Sequence, residues 1–495
     1  MIISHDLGTT GDKATLVDAD GRVVAADTAR YGTDFGARGM AEQDPEAWWQ
    51  ALCEATCRLI QSVPRAREKI AGVCFSGQMM GAVLLDNKGQ PVRPAIIWAD
   101  TRSTEQTNQL IERVGMDNAY RITGHRLNPT YSLEKIMWVR DNEPEVFART
   151  AHVVLAKDFM VHRLTGVLVT DPSDASGTNA FDQQCGTWSE ELLEAASIAK
   201  TLLPEIAAST TVVGTVTPPA AAATGLRVGT PVVLGGGDGP MAGLGAGIVD
   251  SSCGAYAYLG SSAWVSLAAE APLHDPKMRS MTFNHVVPGC YTPTATMQAG
   301  GASLQWIIDV LAPGEDGRYE RLLEAAAGAR ASEDGLYFLP YLLGERSPYW
   351  NPRARAVFAG LELRHGPEHL ARAVVEGVAF NLYSCLQAFT ENGARIDHVD
   401  AIGGAANSSH LLRILADTWG VPVRRRDLVD EATSLGAAIV GGVGVGIFEN
   451  FEVAKRFSKV REEELPDPEA HDRYARAHAL FVEAYQRLEP WFEAL

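Results

Sequence analysis

A single carboxylate interrupts a run of glycines at Gly235-Gly236-Gly237-Asp238-Gly239, directly after the apolar stretch 231–234. An acid there ends a buried strand on a turn open to a bulky ligand, so Asp238 is placed to take a proton from an attacking hydroxyl. The competing reading is a helix N-cap for the segment from Pro240 onward, because Asp is a favoured cap residue. A second carboxylate, Asp6, leaves an apolar strand into Asp6-Leu7-Gly8-Thr9-Thr10-Gly11-Asp12-Lys13. Glycines let backbone N–H groups approach phosphate oxygens, hydroxyls add donors and Lys13 adds a cation. The pattern GxxxxGK(S/T) is missing, so this is a phosphate turn built on a hairpin and not a P-loop; the alternative is an ordinary polar β-turn.

About half the chain away, Gly260-Ser261-Ser262 is a turn of the same small, hydroxyl-bearing kind. Two such turns facing each other grip a polyphosphate from both sides, as one alone cannot. Ile402-Gly403-Gly404-Ala405-Ala406-Asn407-Ser408 ends a strand and opens a helix. Its small residues let a flat purine lie on the backbone while Asn407 or Ser408 offers hydrogen bonds. Leu339-Pro340-Tyr341-Leu342-Leu343-Gly344-Glu345-Arg346-Ser347-Pro348 sets an acid beside a base, for which a structural ion pair is the commoner reading.

These residues need elements to hold them. The opening reads as strands over 2–6, 14–17 and 22–26, with turns at 7–11 and 18–21. Strands over 255–259 and 263–268 repeat the hairpin around Gly260. Each hairpin is followed by an apolar strand ending in a glycine-containing turn, 71–78 and 399–408, so the chain reads as a duplication. Apolar periodicity predicts helices over 45–62, opened by Asp44 as N-cap, over 367–390 and over 411–419. Alternating strands and helices make the fold class α/β. The domain boundary is expected in the glycine-rich stretch 235–247, whose permissive backbone would serve as a hinge between domains 1–246 and 247–495.

With 495 residues, 46% of them hydrophobic, the chain can bury a core in each of two or three domains. A formal net charge of −18 argues against a nucleic-acid partner, whose binding depends on clustered Lys and Arg; the run Arg424-Arg425-Arg426 reads as a solvated turn. An anionic nucleotide is not excluded, because backbone amides, one or two cations and a metal ion set the local field. Seven scattered cysteines without a CxxC pair suggest neither a disulfide framework nor a zinc site, and fit a reducing, cytoplasmic setting. The opening residues lack a signal-peptide pattern. The apolar run 435–448 is too short and too rich in glycine to span a bilayer and reads as a tightly packed core helix, so no membrane partner is expected.

Taken in order along the chain, these motifs resemble the FGGY carbohydrate kinases. The resemblance covers nearly the whole length. It is also carried by Ser76-Gly77-Gln78-Met79-Met80-Gly81, Trp98-Ala99-Asp100-Thr101-Arg102, Ser173-Asp174-Ala175-Ser176-Gly177-Thr178 and Ala299-Gly300-Gly301-Ala302-Ser303. It implies two RNase-H-like, actin-like ATPase domains with ATP and Mg²⁺ in the cleft between them. The N-terminal domain would carry the sugar side and first phosphate hairpin, the C-terminal domain the nucleotide side. Asp238 would be the general base, and Asp6 and Asp238 would lie at the metal. Thr9, Thr10, Lys13, Gly260, Ser261, Gly301, Gln305, Gly404 and Asn407 would match nucleotide contacts. Gln78, Met79 and Met80 fall where the family's sugar contacts lie, with Asp100 and Arg102 as further candidates.

Within the family the chain looks most like the members that convert D-xylulose to D-xylulose 5-phosphate. It departs from them in two places. A Gln-Met-His-Gly run common in the bacterial members is Gln78-Met79-Met80-Gly81 here, and Gly239 stands where an Asn often follows the acid. The 98–102 segment is also similar to gluconate kinases, so another ketopentose, gluconate or a polyol are alternative substrates, and a homodimer is left open. An actin-like filament former or a non-catalytic sugar-binding regulator would share the fold. A filament protein needs no sugar pocket, however, and a regulator would be expected to have lost Asp6 or Asp238.

Overall fold

The computed structural model describes residues 1–37, 39–314, 318–427 and 431–495. Strands β1 (Ile2–Leu7), β2 (Gly11–Val17) and β3 (Val23–Arg30) form the expected antiparallel meander. Helix α1 (Pro45–Ser62) follows, and the Asp44 side chain accepts the Glu46 amide at 2.9 Å, a cap of the kind that contributes about 1 kcal/mol. Its buried Trp48, Leu52, Ala55 and Leu59 recur at helical spacing and pack on Ile3, Leu16 and Phe75. Strand β4 (Gly72–Gly77) joins β1 in parallel, with Asp6 opposite Ser76. The sheet is completed by β5 (Val212–Thr215), β6 (Pro231–Val233) and the two-residue β7 (Gly236–Gly237), in the order β5-β6-β4-β1-β2-β3 with β7 on β4. Helix α2 (Asp238–Gly245) begins where β7 ends.

The second half repeats this plan. Strands β8 (Ala255–Leu259) and β9 (Ala263–Leu267) form the second hairpin, flanked by β10 (Met281–Asn284) and β11 (Tyr291–Met297). After helices α3 (Gly301–Leu311) and α4 (Pro367–Thr390), strand β12 (Val399–Ile402) joins β8 in parallel. Helix α5 (Ser409–Trp419), strand β13 (Val423–Arg426), helix α6 (Ala432–Gly444) and strand β14 (Val460–Glu464) follow, giving the order β10-β11-β9-β8-β12-β13-β14. Both sheets thus read antiparallel, antiparallel, parallel, parallel, antiparallel across their shared strands, and the duplication seen in the turns extends to the whole topology.

Two features add to the expected picture. First, the glycine-rich stretch after β6 holds regular structure. It forms β7 and α2, and α2 crosses α6 in direct backbone contact: a Cβ at Gly245 would lie 1.8 Å from the Ala432 carbonyl oxygen, and one at Gly436 2.0 Å from that of Met241. The glycines at 245 and 436 let the two helices pack backbone to backbone. Second, α6 belongs to the second half of the chain, but its Leu435 and Ile439 cover Ile2, Cys74 and Val233 on the face of the first sheet opposite α1. A sheet buried on both faces needs helices on both, and the first sheet takes one of its covers from the other half. Helix α6 is the packed core helix anticipated for that apolar run; no helix among the described residues is long and apolar enough to cross a membrane. The Arg424 to Arg426 run is strand β13, with Arg424 and Arg426 both paired to buried Asp400.

Candidate active site

The two hairpins and the two crossing helices meet at one cleft of about 750 Å³, lined by Asp6, Gly8, Asp238 and Ala242 from the first half and by Tyr258, Trp264, Ile402, Ala432 and Thr433 from the second. Asp6 stands opposite Lys13 in the β1–β2 register, so both side chains leave the same face. Ser76 Oγ donates to Asp6 Oδ1 at 3.1 Å. Lys13 Nζ lies 3.6 Å from Glu431, the residue that precedes α6. The turn itself is fixed from outside. Trp98 Nε1 donates to Thr9 Oγ1 at 2.9 Å, Gln43 Nε2 to the Thr9 carbonyl at 2.6 Å, and the Tyr31 hydroxyl to the Gly8 carbonyl at 2.5 Å, while Thr10 is exposed.

Asp238 is the first residue of α2, with Gly237 in the cap position, and its Oδ1 accepts the Gly239 amide at 2.8 Å. The side chain therefore does not cap the helix. Burial raises its pKa to about 6. Burial likewise raises Asp6, to about 7, with the charge of Asp238 adding to the effect and Ser76 opposing it. Two carboxylates with raised pKa values, one of them beside a helix N-terminus, form a hard-oxygen donor set for a cation and one proton acceptor.

The turn that carries Asp238 is anchored from below. The Gly237 amide donates to Ser173 Oγ at 3.0 Å, Ser173 Oγ donates to Asp171 Oδ2 at 2.5 Å, and Asp171 pairs with buried Lys157 at 3.0 Å. Lys157 also pairs with Asp158 at 2.5 Å and Asp174 at 3.5 Å. Its pKa is raised by these carboxylates against the pull of burial, and burial raises that of Asp174.

The expected sugar segment abuts this turn: a Cβ at Gly237 would lie 2.5 Å from Met79 Sδ. Met79 is buried with Met281 and Phe283, flanked by Met80 and Trp350. Met80 has a φ of +62°, and its carbonyl accepts from the buried Lys135 Nζ at 2.6 Å, so a strained backbone is held by a buried amine whose pKa burial lowers to about 7. Gln78 Nε2 donates to Gln43 Oε1 at 2.9 Å, which ties the sugar segment to the Thr9 turn. Asp100 and Arg102 are engaged with one another at 2.5 Å; Arg102 also pairs with Glu42 at 2.7 Å and stacks over Trp138.

On the other side, the Gly301 amide donates to the Gly260 carbonyl at 2.8 Å and the Ala302 amide to that of Ser261 at 3.0 Å, so the second turn sits on the start of α3. Gly403 lies against Leu259, which brings the Gly404–Asn407 turn to the end of the same strand. Gly404, Asn407 and Gln305 are exposed; Asn407 donates to the Gly404 carbonyl at 3.2 Å and Gln305 to Asp309 at 3.0 Å. The sequence reading passed over the stacked pair Tyr258 and Trp264, with ring centroids 4.0 Å apart at 14°. The signal was two aromatic residues at matching distances either side of the Gly260 turn. It also passed over Trp98 and Arg346 as site residues.

Comparison with known proteins finds relatives of both halves. Residues 1–245 match the N-terminal domain, and residues 255–445 the C-terminal domain, of the FGGY family of carbohydrate kinases. The xylulose kinase of Escherichia coli is 34% identical over 99% of both chains. The gluconokinase of Bacillus licheniformis is 30% identical over 99% of this chain and 96% of its own. The crystal structure of the ligand-bound xylulose kinase from Lactobacillus acidophilus superposes with a TM-score of 0.95 at 28% identity, covering 100% of this chain and 99% of that one. With both halves matched in order, the chain belongs to the FGGY family of carbohydrate kinases.

Proposed function

We propose that the chain phosphorylates D-xylulose to D-xylulose 5-phosphate with ATP as donor, residues 1–246 supplying the sugar side and residues 247–495 the nucleotide side. The observation that carries the reaction is Asp238: a half-buried carboxylate lining the cleft, beside a helix N-terminus, with a pKa raised to about 6. The relatives named xylulose kinase carry the choice of sugar. The attacking sugar oxygen bonds to the γ-phosphorus as the bond to the β–γ bridging oxygen breaks. ADP leaves with the electron pair, and the hydroxyl proton passes to Asp238.

Asp6 and Asp238 suit Mg²⁺, which takes one or two carboxylates plus substrate phosphates. Among the described residues no group of three or more His, Cys, Asp or Glu side chains is arranged to hold a metal by itself. When bound, Mg²⁺ neutralises phosphate charge. Thr9, Thr10, Lys13, Ser261 and the α2 N-terminus hold the phosphates; Tyr258 and Trp264 with Gly301, Gln305, Gly404 and Asn407 hold the nucleotide; Gln78, Met79 and Met80 face the sugar. Asp100 and Arg102 brace the sugar side through their mutual ion pair. The reading includes a cytoplasmic setting for the seven unpaired cysteines.

Gluconate is the second reading. Met80 replaces an imidazole expected for xylulose, and a gluconokinase lies close in identity. A coupled ADP-release assay across xylulose, ribulose, gluconate, glycerol and erythritol separates the two. The highest kcat/KM is expected for D-xylulose; a higher value for gluconate overturns the sugar assignment and keeps the reaction.

A further inference from the structure

Glu345 and Arg346 are neighbours in sequence but form no ion pair. Glu345 Oε1 accepts the amides of Gln298 and Arg346, each at 2.8 Å, and Oε2 accepts from Asn381 at 3.1 Å. Burial raises the Glu345 pKa to about 8, so the acid is largely neutral at pH 7 and spends its oxygens fixing the loop to the end of β11 and to α4. Arg346 is thereby left a partly buried cation, and burial lowers its pKa. Its Nε donates to Gln298 Oε1 at 2.9 Å; its two terminal nitrogens make no hydrogen bond among the described residues. A desolvated guanidinium without a carboxylate is costly, and it presents a planar fork suited to phosphate oxygens.

The direction of that fork matters. Arg346 belongs to the second half, yet its guanidinium carbon lies 5.8 Å from the ring centre of Trp98 in the first half. Trp98 in turn donates to Thr9 on the phosphate turn at 2.9 Å. The loop therefore sets a cation of the second half against the Trp98 ring that holds the turn following Asp6. Its anchoring by Glu345, Gln298 and Asn381 fixes the approach before any ligand binds, so little ordering is left for the moment of reaction.

We propose that Arg346 is a catalytic residue, contributed by the second half, whose guanidinium binds the phosphoryl group in transit, first as the γ-phosphoryl of ATP and then as the phosphate ester on the sugar. This rests on the kinase reading. Charge spreads over the equatorial oxygens of the transferring group, and a fork already in place stabilises it there more than in the ground state.

The test uses the full chain with the sugar it turns over fastest, and the variants Arg346→Ala and Arg346→Lys. Arg346→Ala is expected to lower kcat by about 10²–10³-fold with the KM for sugar nearly unchanged. Guanidinium chloride at non-denaturing concentration restores part of that loss, and Arg346→Lys retains more activity than Arg346→Ala. Calorimetric titration gives a second reading that needs no turnover: Arg346→Ala weakens ATP and the sugar phosphate several-fold but leaves ADP, which lacks the transferring group, unchanged. If wild-type protein phosphorylates no sugar, the kinase reading fails, and the ATP-versus-ADP comparison still decides the arginine. The proposal is overturned if ATP and ADP weaken equally, or if kcat stays within about threefold of wild type. A loss without guanidinium rescue, accompanied by a lower melting temperature, assigns a merely structural role and overturns it too.

Discussion

The two hairpins occupy the same place in two sheets of the same topology, and they differ most at one register position. In the first, one pair inward from the last pair before the turn, Asp6 faces Lys13; in the second, the equivalent pair is Tyr258 facing Trp264. Asp6, Tyr258 and Trp264 line the same cleft. A scaffold used twice has been given charge on one side and a flat aromatic surface on the other. Duplication supplies the geometry, and on the proposed reading the residues beside each turn divide proton and phosphate chemistry from nucleotide binding.

Breaking the charged side should cost rate. Asp238→Asn keeps the size and the hydrogen bond to Gly239 but cannot accept a proton, so kcat is expected to fall by about 10²–10⁴-fold with ATP binding nearly intact. Circular dichroism and nucleotide titration should accompany the assay, so that a folded, ATP-binding variant is what is compared. A tenth or more of wild-type kcat remaining would remove the base assignment, and Asp6 would be tested next.

Breaking the aromatic side should cost affinity. Trp264→Ala removes the partner of Tyr258 and a hydrogen bond to the Tyr256 hydroxyl, which itself donates to the Gly239 carbonyl. Loss of a stacked ring of this kind predicts a KM for ATP about tenfold higher, with a much smaller change in kcat. A large kcat loss at saturating ATP would erase the division of labour. Lys13→Ala sharpens it with a smaller effect, raising the KM for ATP more than it lowers kcat; the opposite pattern would assign the cation to the transition state.

The smallest effect is on stability. Both site carboxylates have pKa values raised in the folded protein, so the fold binds protons there that the unfolded chain releases. Their contribution is fully present below pH ~4, the unfolded carboxylate range, and is lost as pH rises through about 6 and 7. Asp6→Asn, which is neutral at every pH, should raise Tm by a few degrees at pH 8 and by less at pH 5. An unchanged or lower Tm at pH 8 would show that Asp6 is not held against its preferred ionisation.

Much of this was legible along the chain. Helices α1 and α4 have the bounds expected from periodicity, because a Pro at the first position and a sustained apolar stripe agree with one another in both, and α1 adds an Asp cap. The hairpins were legible because their turns are local. What was hidden depends on partners far apart in sequence. Gly245 and Gly436 look like flexible backbone until each is seen against the other helix. Glu345 and Arg346 look like an ion pair because they are adjacent, but the acid bonds Gln298 and Asn381 and the base reaches Trp98. Asp100 and Arg102, two residues apart, do pair, with a second carboxylate from Glu42 that their own segment could not announce.

The central claim is that Asp238 is the proton acceptor of the charged half, and the pH dependence of kcat/KM tests it most directly. A base must be ionised to act, and burial sets the Asp238 pKa near about 6. In wild-type protein kcat/KM is predicted to fall about tenfold per pH unit below that midpoint, and in Asp238→Asn the low residual activity should be flat across the same range. An acid limb with the same midpoint that persists in Asp238→Asn would contradict the account.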